Sequence, residues 1–341
     1  MGTIMHDETD MDLTLARRFS VAPMMDWTDR HCRFLHRVLS ARALLFTEMV
    51  TSAALVNGDP ERLLGYDQSE HPVAVQLGGS DPNELAEAVR ICNRFGYDEI
   101  NLNVGCPSDR VQSGMFGACL MAEPERVARC LEAMRDATDT PVTVKCRIGI
   151  DDQDIESDLD RFVDCVVPTG IDALYVHARK AWLKGLSPKE NRDIPPLDYD
   201  RVYRLKSRLG NVPVMINGGI KSLEECDTHL RHTDGVMLGR IAYHEPMILA
   251  QVDARYFGDD RQPKSLAEVE TEMTAYAERE LARGARLNQI TRHMLGLANG
   301  LPGARRFRQI LSVQACKTGA GPDVIAAAFA QLDRDPAVQV A

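Results

Sequence analysis

Eight short apolar runs recur along this chain of 341 residues, with helical stretches between them. They are Phe19–Pro23, Leu44–Val50, Val73–Leu77, Glu99–Val104, Val142–Ile148, Ala173–His177, Val214–Asn217 and Gly235–Leu238. Most are apolar throughout rather than alternating, the pattern of parallel strands covered on both faces. Between them, Ser80-Asp81-Pro82 opens a helix whose Leu85, Val89 and Cys92 recur at helical spacing. Ala122–Ala137 and Asp198–Leu209 read the same way. Eight β/α units in about 240 residues predict an α/β fold, a (β/α)8 (TIM) barrel. The alternative, an open doubly wound sheet, lacks its usual GxGxxG turn after a strand. The strand pattern stops at Gly258–Pro263. Ser265–Arg283, Ile290–Leu297, Ala304–Cys316 and Val324–Leu332 then read as helices. The expected organisation is an acidic tail over 1–17, the barrel over 18–257, and a small all-α domain over 264–335.

A formal net charge of −10 excludes a uniformly basic nucleic-acid coat but leaves room for one basic face. Nine cysteines without a CxxC pair argue against structural zinc and against a disulfide scaffold, so no metal and a reducing cytoplasm are expected. The first residues are acidic, without the apolar core of a signal peptide, and no run of 18 apolar residues occurs, so no membrane span is expected.

In such barrels the chemistry sits where strands end at the C-terminal face. Nearly every predicted strand ends in polar or glycine residues: Ala22-Pro23-Met24-Met25, Glu48, Gln76, Asn101 to Pro107, Lys145 with Arg147, His177, Asn217-Gly218-Gly219 and Gly239-Arg240. The last two strand ends resemble a phosphate cradle, with backbone N–H groups, a helix start and Arg240 facing an anion. Tight strand-to-helix turns are the plain alternative. Lys145, His177 and Gln76 suit the pyrimidine edge of a flavin, which carries negative charge when reduced. The alternatives are an ion pair from Lys145 to Glu48 or another strand-end carboxylate, and a capped core imidazole for His177. Cys106 lies in a Gly-Cys-Pro turn aimed into the mouth, and Ser108–Leu120, with Gly114 and Gly117, reads as a mobile loop. That combination points to a thiol proton donor that closes on substrate. Cys92, Cys130, Cys146 and Cys165 are expected to be ordinary small apolar residues.

Charge is segregated. From Leu281 to Pro322 there is no Asp or Glu, yet seven cations: Arg283, Arg286, Arg292, Arg305, Arg306, Arg308 and Lys317. A second basic stretch after the sixth strand carries Arg179, Lys180, Lys184, Lys189 and Arg192 against Glu190, with Trp182 as a stacking surface. Such segregation in an acidic chain predicts a track for a polyanion, RNA or DNA.

These residues resemble the tRNA-dihydrouridine synthases, most closely their A type. The matching segments are Ala22 to Asp29, Asn101 to Ser108, Val144-Lys145-Cys146-Arg147, His177 to Arg192, Asn217-Gly218-Gly219 and Gly239-Arg240. The resemblance implies a flavin barrel followed by a helical tRNA-binding domain. It implies FMN held by Pro23, Met24, Met25, Gln76, Lys145, His177, Asn217, Gly218, Gly219, Gly239 and Arg240. It makes Cys106 the proton donor and Asn103 a contact to the substrate nucleotide, with Lys189, Arg192, Arg305 and Arg308 orienting the tRNA. NADPH would reduce FMN, reduced flavin would deliver hydride to C6 of a flipped-out uridine, and Cys106 would protonate C5 from the opposite face. D-loop uridines 20 and 20a are the implied targets, and a cytoplasmic monomer is expected. Two competing readings are a flavin barrel acting on a free pyrimidine, like a dihydroorotate dehydrogenase, and a flavin-free RNA-binding protein on a relic barrel.

Overall fold

The computed structural model describes residues 13–108 and 115–332. Its strands are β1 (Phe19–Val21), β2 (Leu44–Thr51), β3 (Val73–Gly78), β4 (Glu99–Val104), β5 (Val142–Arg147), β6 (Ala173–His177), β7 (Val214–Asn217) and β8 (Gly235–Leu238). All pair in parallel in chain order, and β8 pairs back onto β1, closing the barrel. β1 ends two residues before the predicted Pro23. Ala22 N still reaches Leu238 O at 2.8 Å, but Pro23 has no N–H with which to continue the ladder.

The connecting helices start where the sequence signals placed them. Asp81 caps Pro82–Cys92 by accepting from Glu84 N, and Asp198 caps Tyr199–Leu209 by accepting from Arg201 N. Ser265 and Glu268 form a reciprocal capping box at the start of Leu266–Ala282. Cys92, Cys130 and Cys146 are buried, whereas Cys165 is only half-buried.

Inside the barrel the two halves differ. Phe46, Ala74, Ala173, Met215 and Met237 form an apolar filling with Tyr175. The facing sector of β3, β4 and β5 carries buried Gln76, Glu99, Asn101, Asn103 and Thr143. Side chains two apart on a strand share a face, so one polar column runs from floor to mouth. At the floor, Leu13–Ala16 is a short helix inside the expected tail, and Arg17 Nε lies 2.7 Å from Glu99 Oε2.

The C-terminal helices are Leu266–Ala282, Leu287–Thr291, Ala304–Val313 and Asp323–Phe329. The predicted helix Ile290–Leu297 is displaced: a regular helix covers Leu287–Thr291 and turns follow. Tertiary pairing governs this stretch, because Arg292 and His293 turn back onto Asp29 at 2.5 and 3.0 Å. Asp29 also caps the barrel helix Arg30–Leu39, accepting from His31 N and Cys32 N. Phe34 stacks on Tyr276 with centroids 3.8 Å apart, His31 Nδ1 lies 2.7 Å from Tyr276 OH, and Arg30 pairs with Glu280 at 2.9 Å. Barrel and helices share one continuous apolar core. The expected end of the helical domain, 333–335, lies outside the described residues. Among the described residues no helix is long and apolar enough to cross a membrane, and no cluster of three or more His, Cys, Asp or Glu is placed to hold a metal.

Candidate active site

The polar strand ends converge at the C-terminal mouth. On the β5–β7 side, Lys145 Nζ donates to Asn217 Oδ1 at 3.3 Å, and Asn217 Nδ2 is fixed by Met237 O at 2.7 Å. No carboxylate lies within ion-pair reach of Lys145 among the described residues, so the ion-pair alternative fails; Glu48 instead accepts from Asp26 N at 2.5 Å. Burial, with Arg147 beside it, brings the Lys145 ammonium down to about 8. His177 is not a capped core imidazole: its ring has no hydrogen-bond partner among the described residues. Burial and then Arg147, Lys145, Arg179 and Arg192 hold it well below the ordinary imidazole range, so it is neutral at physiological pH.

Gly218 and Gly219 adopt φ of 120° and 71°. A Cβ on Gly218 would lie 2.6 Å from His177 Cδ2, and one on Gly219 would lie 2.6 Å from Leu197 Cδ1. Only glycine fits both these backbone angles and the packing against His177 and Leu197. Tyr199 OH holds the turn from behind through Gly218 O at 2.7 Å. Gly239 opens a helix of only five residues, Arg240–His244, so a helix dipole adds little to any attraction for an anion here. Arg240 sits at the rim, paired with exposed Asp193 at 2.7 Å. The buried Arg179 Nε has no hydrogen-bond partner among the described residues. On the β1 side Met24 N is fixed by Thr28 Oγ1 at 2.9 Å, Pro23 and Met24 are half-buried, and Met25 stands exposed at the rim.

Cys106 follows β4, the strand beside β5, and is half-buried, its thiol 3.6 Å from Ser108 Oγ and among the electrostatic neighbours of Lys145, Arg147 and Arg192. Two side chains fix its turn. Asn103 Oδ1 accepts from Gly105 N and Cys106 N at 3.0 and 2.9 Å. Arg147 Nε donates to Gly105 O at 2.9 Å, while its Nη1 reaches Lys180 O and Asn191 O at 3.0 and 3.1 Å. Part of the loop expected over Ser108–Leu120 is otherwise: 109–114 lie outside the described residues, but Gly117–Ala122 is a 3-10 helix with Ala118, Leu120 and Met121 buried, tied to Cys106 O through Ala118 N at 2.9 Å. The apolar side chains of that stretch join the core and pin it.

A family model described as dihydrouridine synthase matches residues 20–332. The chain belongs to the dihydrouridine synthase family. Its fellow members include a protein of Vibrio cholerae, 55% identical over 94% of this chain and 98% of its own. Another, of Escherichia coli strain K12, is 56% identical over 92% of this chain and 91% of its own. Both carry the name tRNA-dihydrouridine(20/20a) synthase. Among solved structures, the old yellow enzyme homologue of Zymomonas mobilis aligns with a TM-score of 0.52 at 12% identity, over 74% of this chain and 91% of that one, a likeness of barrel fold. As a dihydrouridine synthase family member the chain is an enzyme, an oxidoreductase.

In this family member the two basic stretches are not equally free. Arg292 and Arg283 are spent on Asp29 and Glu280. Arg286, Arg305, Arg306, Arg308 and Lys317 have no carboxylate partner among the described residues, and Arg305 is exposed. Lys189 and Arg192 are exposed beside the mouth, on a segment held by fully buried Asn191 through Trp182 and Leu186. Sequence reasoning gave Arg147 no role. Its signal was period two: Lys145 and Arg147 share one face of β5.

Proposed function

We propose that this enzyme reduces uridines 20 and 20a in the tRNA D-loop to 5,6-dihydrouridine, using FMN with NADPH as reductant, as a monomer in the cytoplasm. The observation that carries the reading is the juxtaposition at one mouth of a half-buried thiol with a cationic, glycine-floored cradle. The names of relatives more than half identical supply the substrate. Three features favour FMN as occupant: the side-chain-free turn at Gly218 and Gly219, the Arg179 Nε without a partner among the described residues, and a donor set of Lys145, Asn217, His177 and Arg240 with Asp193 as its nearby acid. Pro23, Met24, Met25, Gln76 and Gly239 complete that set.

FMN, when bound, supplies the hydride equivalent for uracil C6, with electrons drawn from NADPH. The chain's own residues do the rest. Lys145 favours an anionic ligand. Arg147 and Asn103 hold the turn that aims Cys106. The Cys106 Sγ–H gives its proton to C5. Lys189, Arg192, Arg305 and Arg308 meet tRNA phosphates. Mass mapping of dihydrouridine in unmodified tRNA, after incubation with protein, FMN and NADPH, tests the whole reading; absence of a 2 Da gain at positions 20 and 20a overturns it.

Two further results are expected. In the free enzyme Lys145 is charged below about pH 8 and neutral above it. The ammonium is the stronger donor to a flavin carbonyl oxygen, so binding favours the charged form, FMN affinity should weaken as pH rises through about 8, and Lys145→Met should abolish that step. Fluorescence titrations of FMN between pH 6.5 and 9.5 read this directly. The tRNA affinity should fall steeply with salt, and Arg305→Ala or Arg308→Ala should each reduce the slope of log affinity against log salt by about 1. A slope unchanged in both variants removes them from the phosphate track.

A further inference from the structure

The polar column inside the barrel is a chain of hydrogen bonds that has only one possible direction. At its top, Asn103 faces two backbone donors, Gly105 N and Cys106 N, so the atom meeting them is an oxygen. Asn103 Nδ2 therefore faces away and donates to Gln76 Oε1 at 2.8 Å. Gln76 Nε2 then donates to Asn101 Oδ1 at 2.8 Å, and Asn101 Nδ2 to Thr143 Oγ1 at 2.8 Å. Thr143 has a single hydroxyl proton and gives it to Glu99 Oε1 at 2.6 Å. At the bottom the Glu99 carboxylate also accepts from Arg17 Nε at 2.7 Å and from Tyr175 OH at 3.3 Å.

The same order follows when the chain is read upward. A carboxylate is acceptor-only. Thr143 must donate to it, so it can only accept from Asn101, and each amide above is then turned the same way. Glu99, Asn101 and Thr143 are completely buried, beyond reach of water or ligand. They touch no reacting atom, yet they determine which end of two mouth amides is oxygen and which is nitrogen. With this order Gln76 and Asn103 each keep one N–H unspent among the described residues, and Asn103 keeps its oxygen for the Cys106 turn.

We propose that Glu99, Thr143 and Asn101 are positioning residues for the reaction, a directional hydrogen-bond relay that orients the Gln76 and Asn103 amides and through them the Cys106 turn. The inference rests on the proposed function for the reaction it serves, but the geometry it concerns can be read without that reaction. Buried networks of this kind gain their value from being completely satisfied, and a single reversed amide leaves two like groups facing each other. Sub-ångström placement of a proton donor is a large lever on rate.

The test compares Thr143→Val, which keeps shape and removes the hydroxyl, with Thr143→Ser, which keeps the hydroxyl. Melting temperature, FMN content, tRNA KM, kcat and the rate of Cys106 alkylation by iodoacetamide, followed by peptide mass, are measured on the full-length holoenzyme. Thr143→Val should lower kcat by about 10-fold or more and shift Cys106 alkylation by about threefold or more, with tRNA KM within about twofold. Thr143→Ser should stay within about twofold of the parent on all counts. Asn101→Asp, which sets acceptors toward both neighbours, should behave like Thr143→Val and keeps the test open should the valine variant not fold. Equal kcat and equal alkylation in the valine and serine variants overturn the relay. So does a loss in the valine variant that only follows its melting temperature and flavin content. Failure of the parent to form dihydrouridine would instead overturn the proposed function, and the alkylation comparison would still decide the relay.

Discussion

Cys106→Ala is expected to leave FMN binding and its reduction by NADPH intact while dihydrouridine formation falls by roughly 10²–10⁴-fold, the span for a lost general acid. The geometry separates the two half-reactions. The flavin cradle proposed here is built on Gln76 of β3, on β5 to β8 and on the β1 turn, and the Cys106 backbone meets it through Asn103, not through the thiol. Its backbone is held by Asn103 and Ala118, and among the described residues its thiol meets Ser108. Removing one sulfur from a half-buried turn leaves the cradle standing. Stopped-flow bleaching of the flavin by NADPH, followed by reoxidation with tRNA, reads the two steps in sequence. Equal losses in both would deny Cys106 the role of acid.

The second large effect is expected at Gly218. A valine there must adopt φ near 120°, which for a branched residue costs about 1–3 kcal/mol. Its Cβ would also overlap the His177 ring, 2.6 Å from Cδ2. The turn relieves both by moving out of the cradle, so the cost falls on ligand affinity. Since about 1.4 kcal/mol is tenfold in a dissociation constant, Gly218→Val should weaken FMN by about 100-fold and yield nearly colourless protein. Gly210→Ala is the control. Its φ of 56° is also positive, but no atom lies within 4 Å of its Cβ, so flavin content should be unchanged while some stability is lost. If Gly218→Val holds FMN as the parent does, the Asn217–Gly219 turn is not part of the flavin site.

Much of the barrel was legible because burial on both strand faces writes itself as unbroken apolar runs, and because caps such as Asp81, Asp198 and Ser265 are local signals. Strand ends in such a fold converge, so listing their polar residues already named most of the mouth. What depended on partners distant in sequence was not legible. Arg292 looked like a free cation, yet it is consumed by Asp29, 263 residues earlier. Asn103 Nδ2 is committed to Gln76, 27 residues earlier, a partner no local pattern announces. Arg147 was visible as a strand-end cation, but its three carbonyl partners come from two other loops. The second half of the Ser108–Leu120 stretch read as loop through its glycines, while Ala118, Leu120 and Met121 were already its anchors.

The sharing of Asp29 between the cap of Arg30–Leu39 and the cations Arg292 and His293 bears on how this protein can be recombined with its relatives. A graft cut at the Gly258–Pro263 junction would separate Tyr276 from Phe34 and Glu280 from Arg30. Chimeras meant to exchange target preference between members should therefore carry residues 27–39 along with the C-terminal helices as one cassette. Crossovers that honour that contact map should express as soluble protein, and those that cut through it should not.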